Sequence, residues 1–169
     1  MALAEVIRTE AQELLAAGAE EIQIDEPAIS SRPHEMQLAA EALQRVTQPL
    51  RGKARSWTYI GYGDLLPVVD AVFGLPVDGL LLELTHTGAG FLERLADFPS
   101  NKLLGGGVVD VHSTDVESAD IVRARAERLL EHVSARRLWL MPDSGLRTLS
   151  TPVATAKLQA IVEVASTLG

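Results

Sequence analysis

Apolar residues at helical spacing alternate along this chain with short, continuous apolar runs. The first helical pattern covers residues 2–17 and stops at Gly18, since glycine readily adopts the left-handed conformation that ends many helices. A long amphipathic pattern over residues 118–133 places Ile121 and Val122 on its predicted inward face. Further helices are predicted over residues 34–46, from an N-cap at Asp64, over residues 87–98, and from Thr151-Pro152 to about Leu168.

Five apolar runs predict strands, over residues 21–24, 56–60, 79–84, 102–111 and 137–141. Each run is followed by a predicted helix, and the runs are apolar on both faces. This alternation is typical of a parallel sheet covered by helices. No repeat or flexible linker interrupts it, so we predict one α/β domain over residues 1–169, with Trp57 and Trp139 as core aromatics.

Polar side chains cluster where each predicted strand ends. They are Asp25 and Glu26, Tyr59 and Asp64, Glu83, Asp110 and His112, and Asp143 and Ser144. The carboxyl ends of parallel strands meet at one face, which is where barrels and open α/β sheets bind their ligands. Any one of these residues could instead be a loop residue or a helix cap. The five strand ends taken together favour a site. His86 follows Glu83 in a strand-end loop and could face this site, although a solvated loop histidine is the interpretation we favour.

The amino-acid composition excludes several classes of binding partner and of metal ligand. The net charge of −8 carries no basic patch, which argues against nucleic acid and against an anionic membrane surface. The chain has no cysteine, so disulfides and thiolate metal ligands are excluded. The first residues lack the basic start and unbroken apolar run of a secretory signal, and no stretch is long enough to span a membrane. We expect a cytoplasmic protein.

Three segments carry a family resemblance. Residues 22–28 read Ile-Gln-Ile-Asp-Glu-Pro-Ala, residues 109–113 read Val-Asp-Val-His-Ser, and residues 138–148 contain Pro-Asp-Ser-Gly-Leu-Arg-Thr. In this order the chain resembles the catalytic domain of cobalamin-independent methionine synthase, whose last segment typically reads Pro-Asp-Cys-Gly-Leu-Lys-Thr. The resemblance implies a (β/α)8 TIM-type barrel, of which this chain matches the last five strand–helix units.

The resemblance also implies where a zinc ion would bind. Family members hold zinc with a histidine, a glutamate and two cysteines, and the zinc activates the thiol of homocysteine. The matching positions here are Tyr59, Gly61, Glu83 and Ser144. Only Glu83 is retained. Glycine offers no side-chain ligand, and neutral hydroxyls are weak ligands beside thiolate and imidazole. We therefore expect no zinc site of the family type, and no cofactor.

Other positions of the family's site are kept. Asp25 matches the carboxylate that binds the amino group of homocysteine, and Glu83 is the second substrate-binding candidate. His112 matches the histidine that moves protons during catalysis, a task suited to a group that titrates near neutrality. A family glutamate that holds the folate aligns with Ser31, which argues against folate binding through the usual contacts.

Three hypotheses follow. The first is a zinc-free methyltransferase that acts on homocysteine or a related thiol, with a folate or a methylated corrinoid as donor. The second is a non-catalytic barrel fragment that binds a folate or a partner. The third is a Mg²⁺ or Mn²⁺ site built from Asp25, Glu83, His112 and Asp143. Because a barrel cut after five units exposes a sheet edge, we expect the missing strands to come from a longer chain, a partner chain or self-association.

Overall fold

The computed structural model describes residues 1–168, which form two compact units. The first unit comprises residues 1–80 and 99–102, and the second comprises residues 81–98 and 103–168. The strands are β1 (Glu21–Asp25), β2 (Arg55–Ile60), β3 (Gly79–Leu82), β4 (Leu103–Val109) and β5 (Leu138–Pro142). The helices are α1 (Ala2–Ala16), α2 (Met36–Thr47), α3 (Val69–Phe73), α4 (Ala89–Arg94), α5 (Ala119–Leu130) and α6 (Thr151–Ala165).

The strands follow one another in the sheet in chain order, from β1 to β5. In the first unit β1 pairs with β2 in parallel, in a register that runs from Glu21 opposite Arg55 to Asp25 opposite Tyr59. In the second unit β4 pairs with β5 in parallel, with a break in register between Gly107 and Val109. The predicted parallel α/β arrangement is confirmed. Because paired parallel strands run in the same direction, the loops that follow them leave from their carboxyl ends.

In the first unit, α1 and α2 pack near β1 over a cluster of small and branched side chains. The buried members of this cluster are Ala4, Ala11, Ile22, Val46 and Leu50. Alanines at positions 4 and 11 let α1 approach closely, because they add no bulk beyond Cβ. The larger apolar side chains Leu3, Val6 and Leu14 of α1 do not belong to this core, because they are exposed.

In the second unit, β4 and α5 supply much of the buried core. The side chain of Ser118 caps α5 by accepting a hydrogen bond from the main-chain N–H of Ile121, at 3.4 Å. Val122 and Ala126 are fully buried beneath it. The predicted inward position of Ile121 is wrong, because its side chain is 47% exposed. It lies in the first turn, rotated away from the face that Val122 and Ala126 share.

The two tryptophans have different surroundings. Trp57, in β2, is 3% exposed and its indole N–H donates to Glu21 at 2.9 Å. Trp139, in β5, is 44% exposed, so its prediction as a core residue is wrong. The physical reason is position: β5 is the last strand in the sheet order, and its residues are mostly half-buried. An edge strand leaves one side without a covering neighbour.

The helix predicted from Asp64 is shorter than expected. A 3₁₀ turn spans Leu66–Val68, and α3 follows it for only five residues. Asp64 accepts a hydrogen bond from the N–H of Leu66 at 3.0 Å, but the N-cap of the 3₁₀ turn is Leu65 and that of α3 is Val68, so the predicted N-cap at Asp64 is wrong. Among residues 1–168, no helix combines the length and the apolar character needed to cross a membrane.

A close approach inside the first unit gives the first prediction. A Cβ atom added at Gly79 would lie 2.2 Å from the ring of Trp57, which is buried and held by Glu21. We expect Gly79→Ala to lower the free energy of unfolding by about 1–3 kcal/mol, as overpacking does elsewhere. The matched control is Gly145→Ala, since a Cβ there meets nothing within 4 Å. Urea unfolding of both variants measures the difference, and equal losses would contradict the packing argument.

Candidate functional site

Five side chains form a cluster at the carboxyl ends of the strands in the second unit. This strand-end cluster consists of Glu83, His86, Asp110, His112 and Asp143. Glu83 and His86 follow β3, Asp110 and His112 follow β4, and Asp143 follows β5. The parallel arrangement brings these ends together, because every strand runs in the same direction.

Glu83 and His112 form the first pair of the cluster. The Nε2 atom of His112 lies 3.2 Å from Oε1 of Glu83. The glutamate is mostly buried and the imidazole is about half exposed, so the ring has one side open to solvent. The main-chain N–H of His112 donates to Oδ1 of Asp110 at 2.7 Å, which fixes the backbone that carries the ring. The sequence predicted both residues, and the structure brings them into contact.

Asp110 and His86 form the second pair. Their Oδ2 and Nε2 atoms lie 3.1 Å apart, and the rings of His86 and His112 are 6.3 Å apart between centroids. Partial burial raises the pKa of Asp110, but the hydrogen bonds from the His112 N–H and from His86 outweigh it and leave the pKa below its usual value. His86 was predicted to be a solvated loop residue. It is 65% exposed but contacts the cluster.

Asp143 is the buried member of the cluster. Its Oδ1 atom accepts hydrogen bonds from the main-chain N–H groups of Leu84 and Thr85, at 2.9 and 3.2 Å, and its Oδ2 atom accepts from the Thr85 hydroxyl. Burial raises the pKa of Asp143, the hydrogen bonds lower it less, and the charge of Glu83 adds to the increase. Gly107 makes room for the carboxylate, since a Cβ there would lie 2.0 Å from Oδ1.

A second layer of charge lies behind Asp110. Glu117 accepts from the Asp110 main-chain N–H at 2.7 Å through Oε1, and from Lys157 Nζ at 2.7 Å through Oε2. Lys157 lies on α6, is fully buried, and also donates to the Asp115 carbonyl. Arg125 donates to Glu117 at 3.3 Å and to the Val108 carbonyl at 2.8 Å. These contacts anchor the segment that carries Asp110 and His112.

The remaining predicted site residues lie in the first unit, apart from Ser144. Asp25 ends β1, is exposed, and accepts a hydrogen bond from the Gln23 amide at 2.6 Å. Tyr59 is buried in β2 and makes an edge-to-face contact with the ring of Tyr62. The carbonyl of Gly61 accepts from the Ser30 hydroxyl at 2.7 Å. The substrate-binding roles of Asp25 and Glu83 and the catalytic role of His112 stay predictions.

The residues at the family's zinc positions do not fit a zinc ion of that type. Gly61 has no side chain, and its carbonyl is engaged by Ser30. Tyr59 and Ser144 offer neutral hydroxyls, and Glu83 is in contact with His112. Structural and catalytic zinc sites use thiolate, imidazole and carboxylate ligands. Of the family's four zinc ligands, only the carboxylate of Glu83 therefore remains.

A different set of possible metal ligands lies within the cluster. One ligand atom each from His86, Asp110 and Asp143 lies within 4.8 Å of the other two. The metal hypothesis from the sequence named Asp25, Glu83, His112 and Asp143, so it shares only Asp143 with this group. The difference arises because the histidine near Asp110 and Asp143 is His86, which the sequence hypothesis left out, and not His112. His112 contacts Glu83, and His86 reaches Asp110.

Sequence reasoning missed Thr85, Glu117 and Lys157. Thr85 follows β3 by three positions and would be visible only as another polar residue at a strand end. Lys157 lies in a predicted helix where a lysine normally faces solvent. Its burial depends on Glu117, which lies 40 residues earlier in the chain. No local pattern could have paired these two residues.

The arrangement defines a class of protein: a parallel α/β barrel-type chain with a polar cluster at the carboxyl ends of its strands. A family model described as the catalytic domain of cobalamin-independent synthase matches residues 1–167. The chain belongs to this family of cobalamin-independent synthases. The resemblance predicted from the sequence is therefore confirmed, and so is the TIM-barrel-type fold.

Individual relatives agree with this assignment. The chain is 35% identical over 161 residues to a methionine synthase of Saccharolobus solfataricus, with 95% of this chain and 48% of that protein covered. It is 32% identical over 170 residues to a 5-methyltetrahydropteroyltriglutamate–homocysteine methyltransferase of Streptomyces avermitilis, covering 96% of this chain and 22% of that protein. Among solved structures, a B12-independent methionine synthase from Shewanella sp. W3-18-1 in complex with selenomethionine matches with a TM-score of 0.84 and 26% identity.

The match to the Shewanella structure covers 98% of this chain and 53% of that one. The chain thus spans about half the length of the Saccharolobus and Shewanella proteins that it resembles, and less of the Streptomyces protein.

The Glu117–Lys157 pair gives a prediction about pH. Burial raises the pKa of Glu117, but hydrogen bonds from Lys157 and from the Asp110 N–H outweigh it, so the folded pKa lies below the usual 4.5. The stabilisation is therefore present above pH 4.5 and is lost as the pH falls through the lower folded pKa. We expect Glu117→Gln to lower the free energy of unfolding by about 2 kcal/mol at pH 7.

The check is urea unfolding of the wild type and the variant between pH 3 and pH 7. The difference between them should shrink toward zero at the acid end. Glu127→Gln is the matched control, because Glu127 is exposed on α5 and should change the stability little at any pH. A difference that does not depend on pH would contradict the charge interaction.

Proposed function

We propose that this chain is a methyltransferase that transfers a methyl group to homocysteine or a related thiol without a zinc ion of the family type. The observation that carries the proposal is the contact between His112 and Glu83 at 3.2 Å. Both residues match site positions of the family, and they meet at the carboxyl ends of β3 and β4. Family membership supports the reaction class, and the absent thiolate ligands support the zinc-free part.

Glu83 gives His112 a defined chemical role in this proposal. A carboxylate that accepts from Nε2–H fixes that tautomer of the neutral ring, so Nδ1 becomes the proton acceptor. The backbone hydrogen bond from His112 to Asp110 restricts the same residue from a second direction. The imidazole is then oriented before a substrate arrives, which lowers the entropic cost of the reaction.

The proposed step moves one proton and one methyl group. Nδ1 of His112 takes the proton from the thiol, and the resulting thiolate attacks the methyl carbon of the donor. A carbon–sulfur bond forms as the bond between the methyl group and the donor breaks, and its electron pair stays with the donor. With a folate donor, the amine that leaves takes up a proton. Binding of the ammonium group of an amino-acid acceptor by Asp25, whose carboxylate is exposed at the end of β1, is a proposal from the family resemblance alone.

The experiment is a methyl-transfer assay to homocysteine, with methyltetrahydrofolate and methylcobalamin as alternative donors. We expect His112→Ala to lower kcat by about 10²- to 10⁴-fold, the usual contribution of a general base. Glu83→Gln should lower kcat less and shift its pH profile. His132→Ala serves as the control, because His132 lies between the end of α5 and the amino end of β5, whereas the cluster lies at the carboxyl ends of the strands.

The outcome that would contradict the catalytic role is equal activity in His112→Ala and His132→Ala. If the wild-type chain shows no turnover with any donor, the enzyme proposal fails as well. Measurement of folate binding then decides whether the second hypothesis, a non-catalytic binding module, replaces it. That hypothesis is favoured by an apolar surface of the first unit, formed by the exposed side chains of Leu3, Val6 and Leu14 on α1.

We propose further that this apolar surface binds the strand–helix units that the longer relatives have in addition. A groove of about 240 Å³ lies between α1, α2 and the segment after β1. Leu3 and Leu38 line it while being largely exposed, and Val6 and Leu14 of α1 are exposed as well. Strand β1 is first in the sheet order, so its outer edge is where a preceding strand would pair.

Co-expression with the remaining half of the Saccharolobus solfataricus methionine synthase tests this proposal. We expect the two polypeptides to purify as a complex, and we expect Leu3→Glu combined with Val6→Glu to weaken the complex at least tenfold, since each charge would be buried at the interface. Ile121→Glu is the control, because Ile121 is also apolar and is 47% exposed but lies on α5 in the second unit. A wild-type chain that stays monomeric with and without the other half would overturn the proposal.

A further inference from the structure

The strand-end cluster combines three carboxylates with two imidazoles. Glu83, Asp110 and Asp143 contribute three carboxylates, and the charge of Glu83 acts on Asp143. Lys157, the buried cation of this unit, donates to Glu117 and to a carbonyl. The carboxylate of Asp143 accepts only neutral N–H and O–H groups from Leu84 and Thr85. Such a cluster attracts a cation.

Three members of the cluster already have the arrangement of metal ligands. His86, Asp110 and Asp143 each offer one ligand atom within 4.8 Å of the other two. Ligands that lie about 2.1 Å from a metal ion are roughly 3.0–3.5 Å from their neighbours. A contraction of about 1.5 Å would therefore be enough, and the side chain of His86 is 65% exposed, which leaves it room to move.

The three residues also supply the support that metal ligands need. Asp143 is fixed by two main-chain N–H groups, and Asp110 receives the main-chain N–H of His112 on its other oxygen. Outer hydrogen bonds of this kind orient metal ligands and are part of most metal sites. Each ligand comes from the end of a different strand, so the site is held by rigid elements and not by a single loop.

We propose that His86, Asp110 and Asp143 bind a divalent transition-metal ion, with Mn²⁺ as the ion that suits them. Two carboxylates provide the oxygen ligands that Mn²⁺ prefers, and the imidazole favours it over Mg²⁺. Water molecules would complete the coordination sphere on the solvent side of His86. The site uses none of Tyr59, Gly61, Glu83 and Ser144, so it is separate from the family's zinc positions.

The proposal does not depend on the methyl-transfer reaction, and its test measures binding alone. The purified chain is titrated with MnCl₂ while the signal of free Mn²⁺ is followed by electron paramagnetic resonance. We expect one Mn²⁺ per chain. We expect His86→Ala and Asp110→Asn to weaken binding by at least about tenfold each, as the loss of a ligand does. Circular dichroism verifies that both variants are folded.

His34→Ala is the matched control. His34 is exposed and lies 3.7 Å from Glu35, so it is another surface histidine–carboxylate pair, and its loss should leave the affinity unchanged. Glu83→Gln should weaken binding less than His86→Ala does, because it removes a nearby charge but no ligand, whereas a site of the family type would lose its metal. As a measurement on the wild type, Mn²⁺ should broaden the proton resonances of His86 and spare those of His34.

Three outcomes would overturn the proposal. One is the absence of Mn²⁺ binding at millimolar concentration in a folded chain. Another is equal affinity in His86→Ala and His34→Ala, which would place the ion elsewhere. The third is a tenfold loss in Glu83→Gln with none in His86→Ala, which would assign the metal to the pair of Glu83 and His112. None of these results depends on whether the chain transfers methyl groups.

Discussion

The buried carboxylate of Asp143 is the interaction on which the site depends most. It follows β5, yet its hydrogen bonds hold the main chain of Leu84 and Thr85, which follows β3. The residues on either side of this contact are Glu83 and His86, two members of the strand-end cluster. Solvent does not reach the carboxylate in that position, because the side chain is completely buried. Two unsatisfied N–H groups would cost about 1–3 kcal/mol each.

A second constraint acts from behind the site. The buried pair of Glu117 and Lys157 holds the main chain at Asp110, and the Asp110 carboxylate in turn holds the main chain at His112. Charge that is buried in this way is weak evidence for high stability, since its desolvation is costly. Its effect on geometry is clearer. The segment that carries the candidate base is fixed at Asp110 and at His112 by the carboxylates of Glu117 and Asp110, which are mostly buried.

The sequence predicted most of the fold because local patterns determine it. Alternating apolar runs and amphipathic helices indicated the five strands, and the three family segments indicated the barrel type. The errors occurred at Ile121 and Trp139, whose exposure depends on which neighbours cover a helix turn or an edge strand. In the site, the strand-end rule grouped Glu83 and His112 among the polar residues of one face, and the structure brings these two into contact. The rule could not predict which histidine meets which carboxylate, because loop conformation decides that pairing.

The different surroundings of the two tryptophans have a practical consequence for spectroscopy. Trp57 is enclosed in the first unit, and Trp139 is open to solvent on β5. A soluble quencher therefore reaches one indole and not the other, so a single emission spectrum separates into a quenched and a protected component. The protected component reports on the interior of the first unit, and the quenched component reports on whatever covers the outer edge of β5. The protein thus contains two natural optical probes in regions that respond to different events.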